Sequence, residues 1–94
     1  MEVKFIWDDR KNAINIMKHG VSFSMAAMVF SDPKFLCWYD SEHSSISEDR
    51  WRIIGLSGCD VLIVIYTEQD NFIRIISARK ASKKEKEKYY YGYL

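Results

Sequence analysis

A single proline (Pro33), four glycines and two cysteines are the only punctuation in a chain of 94 residues. So few breakers exclude a flexible linker or a low-complexity tract, and no internal repeat is visible. No CxxC pair or His-x-x-x-His spacing occurs, and His19 and His43 stand alone, so neither a metal nor any other cofactor is expected. Cys37 and Cys59 adjoin apolar runs and read as small buried hydrophobes, with nothing to suggest export. The longest apolar run, Val61 to Tyr66, is far too short to cross a bilayer, and the N-terminus lacks a basic-then-apolar signal. One soluble, cytosolic domain spanning residues 1–94, with no membrane partner, is the expectation. Phosphate-cradling glycine loops and a Ser-His-Asp pattern are absent too.

Net charge is nearly lacking, at +1, but it is unevenly placed. Residues 74–94 hold seven Lys/Arg against two acids, and residues 1–73 hold seven against eleven. The positive end coincides with Arg74-Ile75-Ile76-Ser77-Ala78-Arg79-Lys80, where an apolar strand runs into a basic segment. Such local charge attracts polyanions whatever the net charge. An apolar share of 48% and an aromatic share of 15% supply a core, which argues against disorder.

The pattern predicts a strand over Val3–Trp7, then a helix over Arg10–Lys18 capped by Asp8 or Asp9 and stopped by Gly20. Ala13, Ile14 and Met17 form its apolar stripe. Ser22 caps a second short helix with Phe23, Ala26, Ala27 and Phe30 on one face, closed by Asp32-Pro33. Strands follow over Phe35–Tyr39, Arg50–Leu56, Val61–Tyr66 and Phe72–Ala78. The third of these, apolar on both faces, is the central one. Ser82 with Glu85 makes a capping box for a charged helix over Lys83–Tyr90. The order β-α-α-β-β-β-β-α predicts a small α+β fold, with helices packed on an antiparallel sheet.

Arg52 and Arg74 interrupt apolar strands, so each needs solvent, an anion, or an ion pair with Glu48 or Asp49. The run from Lys83 to Lys88 reads equally as a solvated helix face. Arginines with a few proton-transfer groups suit metal-independent RNA cleavage. There the 2′-hydroxyl loses a proton, charge builds on phosphate oxygens, and the leaving oxygen gains a proton. On this reading Arg50, Arg74 and Arg79 bind phosphate and stabilise the transition state, and His43, Glu48 and Tyr89 are the candidates for proton transfer. Arg52, Lys80, Lys83 and Lys84 are the candidate RNA contacts. His19, between a helix and its glycine cap, reads as structural. Arg74 and Arg79, five apart, share a face only if the strand bulges or ends near Ala78. A non-catalytic nucleic-acid-binding module, its basic aromatic tail stacking bases, is the rival reading, and a pure protein-interaction role the third.

Several segments together resemble the BrnT family of bacterial type II toxins, within the RelE-like ribonuclease superfamily. They are Phe5-x-Trp7-Asp8, Asn15-x-x-Lys18-His19-Gly20-Val21-Ser22-Phe23, Ala26-x-x-Val29-Phe30-x-Asp32, Glu48-Asp49-Arg50-Trp51, Ile54-Gly55 and Arg74-Ile75-Ile76-Ser77-Ala78-Arg79-x-Ala81, with Glu85 and Tyr89. The resemblance covers nearly the whole chain. It implies a compact RelE-like toxin that cleaves RNA and arrests growth. It also implies a BrnA-like antitoxin, expected in a 2:2 heterotetramer that contacts operator DNA through the antitoxin. Members often carry Glu where this chain has Ser24-Met25, and the tail from Tyr89 to Tyr93 is unusually aromatic. The basic helix and this tail are the expected seat of an acidic, amphipathic partner segment.

Overall fold

A computed structural model describes residues 3–92 and holds five strands and three helices. Tyr93, part of the aromatic tail, lies outside the described residues. The strands are β1 (Lys4–Ile6), β2 (Leu36–Tyr39), β3 (Trp51–Ser57), β4 (Asp60–Gln69) and β5 (Phe72–Lys80). They form one sheet in the order β1-β5-β4-β3-β2. The expected α+β class and element order hold, and Val61–Tyr66 lies in the central strand. All neighbours are antiparallel except β1, which pairs parallel with β5 at one edge. A helical excursion separates β1 from the rest of the sheet, so no hairpin dictates its direction.

The helices are α1 (Asp9–His19), α2 (Phe23–Met28) and α3 (Lys83–Tyr91). Their ends follow the predicted chemistry. Asp8 Oδ1 accepts from the amides of Arg10 and Lys11, and Gly20 closes α1 at φ 69°. Ser22 Oγ accepts from Met25, while Ser82 and Glu85 complete the capping box. One sheet face packs against Val21, Phe23, Ala26 and Val29, which meet Ile53, Leu62, Val64 and Ile75. Fully burying a side chain such as Phe23 contributes about 2 kcal/mol. Part of the opposite face is covered by α3, whose Tyr89 packs with Ile54, Val61 and Ile63.

Two expectations fail. Cys37 and Cys59 are exposed free thiols, Cys37 on the edge strand β2 and Cys59 in the β3–β4 turn, where an apolar neighbourhood in sequence does not mean burial. The stripe Ala13, Ile14 and Met17 faces outward, and the one buried residue of α1 is Asn15. Asn15 donates to the carbonyls of Val21 (2.8 Å) and Ala78 (2.7 Å) and accepts from the Ala78 amide (3.1 Å). Past Arg74, where β1 stops pairing, the outer edge of β5 has no strand neighbour, and the Asn15 amide takes the place of a peptide group there.

Candidate functional site

A bulge in β5 meets the condition under which Arg74 and Arg79 share a face. Ile65 pairs with Ser77 and Tyr66 with Ile75, which leaves Ile76 as the extra residue. Arg74 therefore pairs with Thr67 and Arg79 with Ile63, while Arg52 of β3 pairs with Ile65. Thr67, Ile65 and Ile63 alternate along β4 and share one face, so all three arginines project from that face. It is the face that α3 only partly covers.

Beyond α3 the face opens into a cleft of about 310 Å³, whose polar lining comes from His19, Glu42, His43, Arg52, Ser77 and Arg79. The loop between β2 and β3 is closed by Asp40 and Ser44 on Arg50: the Asp40 amide donates to the Arg50 carbonyl (2.9 Å), and the Arg50 amide to Ser44 Oγ (2.8 Å). That closure sets His43 against Asp40, with Nδ1 2.7 Å from Oδ2. Asp40 is buried at 3% exposure and orients the imidazole, leaving Nε2 for a substrate. Arg52 donates through Nη2 to Asp40 (3.3 Å) and Glu42 (3.5 Å), while its buried Nε–H has no acceptor among the described residues. The two carboxylates fix the Arg52 guanidinium, which stays partly exposed at the cleft with its charge available to an anion.

A second cluster lies on the same face. Glu48 accepts from Arg50 Nε at 2.9 Å and from Arg74 Nη2 at 2.6 Å. The Arg50 hydrogen bond, with the Arg74 charge, outweighs burial and holds the Glu48 carboxyl below its ordinary value. Of the alternatives open to Arg74, solvent, an anion, or an ion pair with Glu48 or Asp49, the structure forms the pair with Glu48. Arg52 instead takes Asp40 and Glu42, and Asp49 accepts from the Tyr39 hydroxyl (3.2 Å). Arg79 makes a fork-to-fork pair with Glu85 at 2.7 and 2.9 Å. This bond raises the Arg79 guanidinium above its ordinary value and, against the opposing effect of burial, holds Glu85 down at about 2.

Of the sequence candidates, the fold brings His43, Arg52 and Arg79 to one cleft and sets Glu48, Arg50 and Arg74 together in the second cluster. Four others stand apart. Lys80 pairs with Leu62 and so lies on the opposite sheet face from Arg79. Lys83 and Lys84 are exposed in the first turn of α3. Tyr89 is buried, its hydroxyl donating a short hydrogen bond to Asp32 Oδ2. Burial first and that bond second push the phenol up to about 12, so it keeps its proton and anchors α3 rather than titrating in the cleft.

Sequence reasoning missed Asp40, whose signal was its place three residues before His43 at a strand end. It also favoured a structural role for His19, which in the fold lines the cleft with Glu42 and His43. Asp40, Glu42 and His43 offer ligand atoms within 4.8 Å of one another, a spacing that could hold a cation. The Arg52 guanidinium already supplies positive charge to both carboxylates there.

A family model described as the ribonuclease toxin BrnT of a type II toxin–antitoxin system matches residues 7–85. Among curated proteins no significant match is found.

Proposed function

Since the chain belongs to the BrnT family of type II ribonuclease toxins, we propose that it is a metal-independent endoribonuclease acting in the His43–Arg52–Arg79 cleft. The observation that carries this reading is one cleft that gathers Arg52 and Arg79 with an imidazole held by a buried carboxylate. His43 Nε2 accepts the proton of the ribose 2′-hydroxyl. The 2′-oxygen attacks the adjacent phosphorus, the bond to the 5′-oxygen breaks, and a 2′,3′-cyclic phosphate and a 5′-hydroxyl result. Arg52 and Arg79 hold the non-bridging oxygens as charge builds. His19, which lines the same cleft, returns a proton to the leaving oxygen on this reading. Glu48, held ionised by two arginines, is a weak base, and it serves to fix Arg50 and Arg74 as contacts for a neighbouring phosphate. A BrnA-like antitoxin silences the enzyme in a 2:2 complex that reaches operator DNA through the antitoxin.

Purified protein freed of antitoxin is expected to cleave RNA in EDTA and to leave cyclic phosphate ends, detectable by end-labelling. His43→Gln lowers kcat by about 10²- to 10⁴-fold. Arg79→Ala abolishes cleavage while RNA affinity stays within about tenfold, because one phosphate contact is a small part of binding. Loss of all activity on chelation overturns the metal-free mechanism. Wild-type protein that binds RNA yet cleaves it under no condition favours the binding module instead.

A further inference from the structure

The amphipathicity of α1 is inverted. Its polar residues Asn12 and Asn15 face the body of the protein: Asn12 Oδ1 accepts from the Phe23 amide at 2.8 Å, and Asn15 holds β5. Its apolar residues face solvent, with Met17 at 86%, Ile14 at 48% and Ile16 at 45% exposure. At about 100° per residue, Ala13, Met17 and Ile14 form an arc opposite the asparagines, with Ile16 on the flank next to Asn12. A helix that needed no partner would carry the reverse pattern.

Beside the arc, between α1 and β5, runs a groove of about 160 Å³ with Ile14 and Ile76 as apolar lining and Lys11, Lys18 and His19 as basic lining. Ile76 is the bulge residue, so the irregularity that aligns the arginines also furnishes this groove. At the other end of the arc the exposed Arg10 is offset by the exposed Asp8 and Asp9, so the positive charge lies along the groove. The surface is therefore an apolar ridge and pocket edged by bases. It complements an amphipathic helix with acidic flanks, one large apolar side chain of which enters the groove. His19 and Ser77 line both this groove and the catalytic cleft, so an occupant of the groove ends at the mouth of the site.

We propose that the outward face of α1 and the α1–β5 groove are where the antitoxin docks, through an acidic amphipathic helix whose end closes the cleft. This rests on the reading that the chain is a toxin silenced by a protein partner. It shifts docking away from α3, whose inward side is already taken up by Tyr89 and whose Lys88 lies over the Trp38 ring at 4.5 Å.

The test uses full-length chain and the product of the reading frame beside it, titrated by calorimetry. Ile14→Glu with Met17→Glu changes only exposed positions, and is expected to keep the wild-type circular dichroism and RNA cleavage. It should weaken partner binding at least about 100-fold and leave cleavage uninhibited by the partner. Lys83→Glu with Lys84→Glu should bind within about threefold of wild type. Wild-type binding with the α1 variant also within threefold overturns the docking site while leaving the antitoxin reading intact. Loss of binding in the α3 variant alone moves the partner to α3. Self-association of the wild type that the α1 variant abolishes, with partner binding unchanged, assigns the arc to a second copy of this chain. No wild-type binding to the neighbouring product overturns both readings.

Discussion

Glu85 serves two partners at once: it closes the cap of α3 through the Ser82 amide at 2.8 Å and forks onto Arg79. A carboxyl held near 2 when folded, against an ordinary 4.5, stabilises the fold above about pH 4.5 and loses that contribution as pH falls toward 2. Arg79 is 41% exposed, so solvent screening reduces the effect to about 1 kcal/mol. Urea unfolding of Glu85→Gln is therefore expected to show a deficit of about 1 kcal/mol at pH 7 that shrinks toward zero by pH 2. A deficit independent of pH would mean that the pair contributes nothing through charge. The same bond restrains Arg79, so a phosphate entering the cleft has to compete with Glu85 for the guanidinium.

At the scale of elements, α1 is held less by apolar packing than by one amide. Asn15 satisfies both backbone groups of Ala78 and the carbonyl of Val21, all buried. Asn15→Ala leaves these groups unmatched and should cost about 3 kcal/mol in denaturant unfolding. Hydrogen exchange should report the loss at the Ala78 amide first, because that proton has no other acceptor. If its protection is unchanged, α1 is secured by other contacts. Gly55 shows the tolerance on the other face. A Cβ there would lie 2.9 Å from Val29 Cγ1 and 3.1 Å from Asp32 Oδ2, so the approach of the turn after α2 to β3 requires glycine.

For the whole molecule, the basic C-terminal third does not act as one surface. Sheet alternation sends Lys80 away from Arg79, and α3 presents Lys83 and Lys84 to solvent. RNA binding should consequently depend on few phosphate contacts. For a single strand, two such contacts give log K falling with log salt at a slope of about −1.4. Because Arg79 holds the same phosphate, Arg52→Ala should flatten that slope by less than about 0.7, and Lys80→Ala should leave it and the affinity unchanged. A slope several times steeper in filter binding would show that the α3 lysines are part of the track. No helix among the described residues is long and apolar enough to cross a membrane.

The elements, their caps and the central place of Val61–Tyr66 were legible along the chain. They depend on local rules: an acceptor side chain before a helix, glycine after it, and alternation within a strand. That Arg74 needs solvent, an anion or an acid was legible too, because a guanidinium inside an apolar strand demands a partner, but the choice of Glu48 was not. The rest was decided by contacts distant in sequence. Parallel addition of β1 to β5 determined where the sheet edge ended, and so why Asn15 turned inward and Met17 outward. The bulge at Ile76 put Arg74 and Arg79 on one face, which parity along the strand alone could not decide. Loop closure at Arg50 joined Asp40 to His43, and packing of α1 on β5 carried His19 to the same cleft. Each of these is a matter of which groups remain unpaired once the sheet has formed, and that is a property of the assembled backbone rather than of any local run of residues.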